Sequence, residues 1–484
     1  MKSKVKVLSV DIGGESGRVV CVGFDGKNLQ LEELHRFPNV PAKANGTLYW
    51  DILRLWNEIK LGIEKGKILS PKSIGVDTWA VDFVLLDDQD NLLSNPVHQR
   101  DSRTDGMMEK VFNRIPKEEI YSQTGIQFMS INTLFQIMSL IDKKSSHLSI
   151  AKTFLTTPDL LNFWLTGKKV CEFTSATTTQ MFNPAKNNWA IQLMEKLKIP
   201  HNIFPEVVNP GIVLGKYKGM EVIAVATHDT GSAVAAIPVQ TKDFAYVSSG
   251  TWNLVGLEID YPLINSDALN ANITNEGGVY GTYRFLKNVI GLWILQECRR
   301  TWQLGGKYYS YNELIRQAES VTALRSFVQP NNPVFLYPGD HPKFIKDFCK
   351  MTSQYVPETP GEIVRCILDS LALAYKDFVF KLLKISGRKA DVIHVVGGGS
   401  KNKLLNQLTA NATGLHVVAG PAEATVIGNA VVQLIALGEL ANLQEARQII
   451  SNIRALKHFE PMEKEIWDEA YQRYKRLPDF DNKF

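Results

Sequence analysis

The chain has 484 residues, 44% apolar and 21% charged, with a net charge of +4 and five cysteines. That length exceeds what one core serves, so two large domains or three ordinary ones are expected. The composition is that of a soluble globular enzyme, and the small, dispersed charge argues against nucleic acid or a membrane surface as partner. Cys21, Cys171, Cys298, Cys349 and Cys366 are scattered and never form a Cys-x-x-Cys pair, which argues against a disulfide framework or a zinc knuckle. No apolar h-region precedes Asp11, and no run approaches about 18 uncharged apolar residues, so a cytoplasmic protein is expected.

In chain order, Val5–Val10, Arg18–Phe24 and Leu29–His35 read as three consecutive strands. The first two flank "DIGGESGR" (11–18). This loop lacks the Gly-Lys-Ser/Thr of a Walker loop, and a dinucleotide series begun at Gly13 fails at Glu15 and Arg18. It is a hairpin loop, and an ordinary turn and a phosphate cradle remain equal readings of it. Asp51–Lys65 has helical spacing and Ser73–Asp77 that of a short strand. "GVDTWAVDF" (75–83) follows, then a mixture of helices and loops from about 100 to 220. "IAVATHDTGSAVAA" (223–236) reads as a strand, a polar turn and a small-residue helix. "DFAYVSSGTWNLVGLEI" (243–259) repeats the strand–turn–strand of the opening. In "ITNEGGVYGTYRFLKNVIGLWILQECRR" (273–300) a polar, glycine-rich turn feeds a strand and then a helix. Residues 361–386 form a helix with an apolar stripe at Ile363, Ile367, Leu371, Ala374, Phe378 and Leu382. The strand "VIHVV" (392–396), the turn "GGGS", a helix over 401–413 and a surface helix over 462–477 complete the pattern.

The repeated pattern predicts two similar α/β domains, 1–240 and 241–455, with a helical tail over 456–484. A cleft between them, with glycine turns on both walls, suits a nucleotide and a substrate. Asp229 follows a strand and precedes a helix, so it reads either as a helix cap or as a general base with His228 beside it. Asp77 and Asp82 lie about 17 Å apart in an extended segment, too far for a glycosidase pair. Asn288 and Gln296 sit among apolar neighbours, so each amide meets backbone or ligand.

The ordered set Asp11-x-Gly13-x-x-Ser16-x-Arg18, His228-Asp229-Thr230, "SSGTW" (248–252) and "GGG" (397–399) resembles the FGGY carbohydrate kinases. "RDSRTDG", "TGIQF", "TTTQ", "ANITNEGG" and "LKNVIGLW" extend the resemblance from Val7 to about Leu440. It implies two ribonuclease-H-like domains of the actin, hexokinase and heat-shock ATPase superfamily, flanking a central cleft. It implies an ATP- and Mg²⁺-dependent kinase acting on O1 of L-rhamnulose, with L-fuculose as the alternative acceptor, in a monomer or homodimer. Asp229 would be the base, and Ala80, Asp82, His228, Thr230 and Asn288 would contact the sugar. Gly14, Glu15, Ser16, Gly17, Arg18, Thr251, Gln296 and Gly399 would hold ATP, and Asp11 would hold the metal. Two positions depart from the pattern. Ala80 stands where glycine is usual, a methyl worth about 1–3 kcal/mol of discrimination in a pocket, and Glu15 brings a carboxylate to a phosphate loop. A sugar- or nucleotide-binding regulator without turnover is the alternative of another class, and the failed glycine series at Gly13 and Gly397 disfavour an NAD-dependent oxidoreductase.

Overall fold

Val5–Ile12, Ser16–Phe24 and Leu29–Pro38 form the expected antiparallel meander in the computed structural model, which describes residues 5–452 and 456–478. The junction expected after residue 455 and the last six residues of the tail fall at or beyond the edge of the described residues. Ser73–Thr78 pairs in parallel with Val5–Ile12, and Met220–Ile223 pairs in parallel with Ser73–Thr78. Val213–Tyr217 closes the edge of this six-stranded sheet. The second sheet repeats the plan. Phe244–Ser249 lies between the antiparallel Trp252–Ile259 and the parallel Val392–Val396, with Tyr283–Ile290 and His416–Ala419 beyond them.

Local sequence accounts for the helices between them. In Ile52–Lys67 the Asp51 side chain accepts the Arg54 N–H, capping the first turn. The long helix Pro360–Ser386 begins with a Thr359/Glu362 capping box and with Pro at its first position, and ends at Gly387 in the left-handed region. All six residues of its expected apolar stripe are buried.

Two stretches differ from the sequence reading. Residues 274–277, expected in a turn, form a strand that pairs with Tyr283–Ile290, and the turn itself lies after them. The polar alternation Thr-Asn-Glu conceals a strand because one of its faces lines a cavity. In the tail, Lys457–Phe459 adds an edge strand to the second sheet, and Lys464–Tyr474 buries Trp467, Ala470 and Tyr474 against the helices there.

The cores cross the two halves of the chain. One apolar cluster joins the 107–203 region to the second sheet, and another joins Val5, Val7, Val20 and Val22 to residues of 424–450. The helix Ala424–Ala436 packs on Asp229–Ala235 and reaches the first sheet through polar contacts. Ser9 Oγ donates to Val426 O at 3.1 Å, Ser73 Oγ to Gln433 Oε1 at 2.6 Å, and Gln433 Nε2 to Leu8 O at 3.0 Å. Gly428 makes the helix contact: a Cβ there would lie 1.7 Å from Ser232 O. Replacing Gly428 with Ala therefore forces the two helices apart. The variant is expected to lose about 1–3 kcal/mol in urea unfolding, and an unchanged midpoint would contradict the packing.

Candidate active site

Three carboxylates meet where the parallel strands of the first sheet end. Asp11 stands opposite Asp77 in register. Thr78 N–H donates to Thr227 O at 2.9 Å, which carries His228 and Asp229 to the same end. This is the usual position of an α/β site.

Asp77 is fully buried. Its Oδ2 accepts from Asn429 Nδ2 at 2.6 Å, while Oδ1 makes no hydrogen bond. Burial, then the neighbouring charge of Asp11, pushes its pKa well up. Asp11 Oδ2 accepts from Arg18 Nε and Nη2 at 2.9 and 2.8 Å. Arg18 Nη1 reaches Glu423 in the second half of the chain.

Asp229 opens the helix Asp229–Ala235, but His228 occupies the N-cap position. The Asp229 carboxylate accepts from the Thr230 hydroxyl at 3.1 Å. Burial and then the Asp11 charge lift its pKa to about 7. The His228 pKa is driven well below its ordinary value by burial and by Arg284. Arginine only donates, so the 3.0 Å contact from Arg284 Nη2 makes His228 Nδ1 an acceptor. The neutral ring then carries its proton on Nε2, 3.5 Å from Asp229 Oδ1.

A cavity of about 720 Å³ between the two sheets is lined by His228, Asp229 and Thr230 from this group. One wall is aromatic: Trp50 stacks on His98 with centroids 4.2 Å apart and meets Trp79 at 4.3 Å. Beneath it Asp82 Oδ2 accepts from Trp50 Nε1 at 2.6 Å and Trp79 Nε1 at 2.9 Å, and Oδ1 accepts from Gln136 Nε2 at 3.0 Å. Burial raises the Asp82 pKa to about 6. The chain reverses through Ala80 and Val81, whose φ of 67° is rare for a β-branched residue. That turn sends Asp77 toward Asp11 and Asp82 under the tryptophans, so the two never form a pair.

Glycine turns of both sheets also line the cavity. Gly13 N–H donates to Ser16 O at 2.9 Å, closing the hairpin expected there. In the second turn Gly250 N–H donates to Trp252 O at 3.0 Å. Gly397, at φ 81°, packs on Ser249 O, and a Cβ on Gly399 would meet Ser249 Oγ at 2.0 Å. Glu15, unexplained from sequence, faces the charge of Arg100, whose guanidinium lies 4.3 Å over the Trp293 ring.

Of the residues singled out by sequence, Gly14, Glu15, Ala80, His228, Asp229, Thr230, Thr251 and Asn288 line the cavity. Asp82, placed against the sugar by the resemblance, lies behind the wall as an acceptor for two indoles. Ser16 and Gly17 begin the strand behind the loop, and Arg18 is engaged by Asp11 and Glu423. Gln296 stands on the helix Trp293–Leu304 with its Oε1 buried and without a hydrogen bond, and Gly399 is buried behind Gly398. Asp77, Trp50, His98, Gln127, Thr274 and Glu276 were missed as site residues. The last two carried a signal, since "TNE" alternates polar groups along one face of a strand. Trp50 and His98 carried none, because their role depends on contacts distant in sequence.

Residues 6–236 match the N-terminal domain of the FGGY family of carbohydrate kinases, and residues 245–437 match its C-terminal domain. The chain belongs to the FGGY family. It is a carbohydrate kinase. The chain is 44% identical to a rhamnulokinase of Bacteroides thetaiotaomicron over 98% of its own length and 99% of that protein's. It is 43% identical to a rhamnulokinase of Oceanobacillus iheyensis, covering 92% and 96%. Its fold is shared with a ligand-bound xylulose kinase from Lactobacillus acidophilus, with a TM-score of 0.79, 18% identity and coverage of 98% and 97%. It is also shared with Plasmodium falciparum glycerol kinase with ADP, at a TM-score of 0.75, 16% identity and coverage of 97% and 98%. Among the described residues, no helix is long and apolar enough to cross a membrane.

Proposed function

We infer that this kinase transfers the γ-phosphoryl group of ATP to O1 of L-rhamnulose. The observation that carries the chemistry is the Asp229 carboxylate, its pKa lifted to about 7, in one cavity with two backbone-rich glycine turns. The rhamnulokinase relatives supply the choice of sugar.

Phosphoryl transfer asks a protein for alignment and charge neutralisation more than for covalent chemistry. Asp229 takes the proton of the attacking hydroxyl. His228 donates from Nε2 to a sugar oxygen, because Arg284 fixes that tautomer. Thr230 and Asn288 complete the acceptor contacts, and the tryptophan wall packs the apolar face of the sugar. The glycine turns present the backbone of Gly14, Glu15 and Thr251 to the phosphates, the Gly13 and Gly250 N–H groups being used within the turns. Ala80 puts its methyl on the sugar wall, so the enzyme tests acceptor shape there.

The carboxylates fit Mg²⁺. Asp77 leaves one buried oxygen without a hydrogen bond beside Asp11. No group of three His, Cys, Asp or Glu side chains among the described residues is arranged to hold a metal alone. Mg²⁺ held by two carboxylates is completed by nucleotide phosphates and water. Asp11 and Asp77 would hold it, and it would neutralise phosphate charge.

Coupled ADP release with Mg-ATP against L-rhamnulose, L-fuculose, L-ribulose, D-xylulose and glycerol tests the reading. Preference for L-rhamnulose is expected. Turnover of another ketose alone would move the specificity to the Ala80 wall, and ATP binding without any turnover would leave a regulator. Asp229→Asn is expected to lower kcat about 10²–10⁴-fold with ATP binding kept. The base must be ionised, so kcat/KM for the sugar rises with pH through about 7 and levels above it. Near-normal kcat in Asp229→Asn would remove Asp229 from the proton transfer.

A further inference from the structure

The strand Thr274–Gly277 is antiparallel to Tyr283–Ile290, with Thr274 opposite Leu286 and Glu276 opposite Arg284. Side chains alternate along strands, so Thr274, Glu276, Arg284 and Asn288 share one face of the sheet. Thr274, Glu276 and Asn288 line the cavity.

These groups are buried and incompletely satisfied. Thr274 is 0% exposed and Glu276 5%. Thr274 Oγ1, Glu276 Oε2 and Arg284 Nη1 make no hydrogen bond. Glu276 Oε2 approaches Arg284 Nη1 at 3.2 Å as an ion pair without hydrogen-bond alignment, and lies 3.5 Å from the unprotonated His228 Nδ1. Arg284 is held by Nε donation to Gly277 O at 2.8 Å and by its bond to His228, so it is not free to turn toward the carboxylate. Arg284 Nη1 and Glu276 Oε2 compensate each other's charge behind the wall, which leaves Thr274 and the Glu276 carboxylate at the cavity without a full set of hydrogen bonds. Buried polar groups in folded proteins nearly always have partners, so the pair points to one that enters with the ligand. A polyol supplies it, since adjacent hydroxyls both donate and accept.

The position is also defined. Glu276 lies on the Nδ1 side of His228, whereas Asp229 lies on the Nε2 side. The carboxylate therefore stands across the imidazole from the proton-accepting group, beside carbons beyond the one that is phosphorylated. An ionised carboxylate accepts only, so it rewards a hydroxyl that donates.

We propose that Glu276, with Thr274, is a specificity-determining pair that binds distal hydroxyls of the ketose acceptor. The assignment rests on the acceptor reading above. It gives the second half of the chain a share in sugar choice as well as in nucleotide binding.

Glu276→Gln and Thr274→Val keep the volume of each side chain. Steady-state kinetics with L-rhamnulose, and with L-fuculose, which differs at C4, test them, with thermal melting to establish folding. A hydrogen bond to a charged group corresponds to a change of about tenfold or more. Glu276→Gln is expected to raise the L-rhamnulose KM at least about tenfold and to compress the preference between the two sugars, with the ATP KM within about threefold of wild type. Thr274→Val is expected to raise the sugar KM in the same selective way. A sugar KM within twofold of wild type in either folded variant overturns the assignment, as does an equal rise in both KM values. If Glu276→Gln does not fold, Thr274→Val alone decides. Wild-type protein that phosphorylates no ketose in the panel overturns the acceptor reading instead, so the two failures are distinct.

Discussion

The contact between Gly428 and Ser232 sets the architecture of the site. The two helices approach so closely there that no side chain fits between them. One helix begins at Asp229, and the other carries Asn429, which holds Asp77. A single backbone contact therefore fixes the ends of the first-sheet strands relative to the second half of the chain. The two sheets then face each other across the cavity instead of packing flat. Gln433 and Ser73 tie the same helix to the first sheet through buried hydrogen bonds, which resist sliding because an unmade buried bond is costly.

Around that frame the molecule buries several carboxyls without an equal number of basic partners. Asp77, Asp82, Asp229 and Glu276 all have raised pKa values, with burial as the first cause in each case. Their environments differ, and so do their uses. Asp82 is surrounded by N–H donors and organises tryptophans. Asp77 lies beside Asp11 with an oxygen to spare. Asp229 is poised near neutrality and faces the cavity. Glu276 faces a buried guanidinium that is already committed to His228. Groups whose surroundings push them in different directions are how one protein assigns acid, base and binding roles to the same side chain.

Much of this was legible in the sequence, and for local reasons. Apolar alternation marked the strands at both domain openings, the apolar stripe marked the helix at 361–386, and glycines marked the turns. Asp229 was singled out because it follows a strand and precedes a helix. The bond that Asp82 accepts from Trp50 was not legible, because its spacing from Trp79 says nothing of Trp50, which folds over it from a different element. The alternation in "TNE" was read as a turn, since a strand face that lines a cavity is as polar as a loop. Arg18 was read as a phosphate ligand, and only the fold shows it spanning Asp11 and Glu423, whose positions are far apart in the chain.

The sequence by itself determined the two-domain α/β plan, the family and the glycine turns, because strand periodicity, helix caps and loop chemistry are properties of neighbouring residues. The tertiary structure alone decided which carboxylates converge, which are buried and which tautomer His228 adopts. Those outcomes depend on contacts such as Asp77 to Asn429 and His228 to Arg284. The pairs are far apart along the chain, and their electrostatics exist only once water has been excluded from between them.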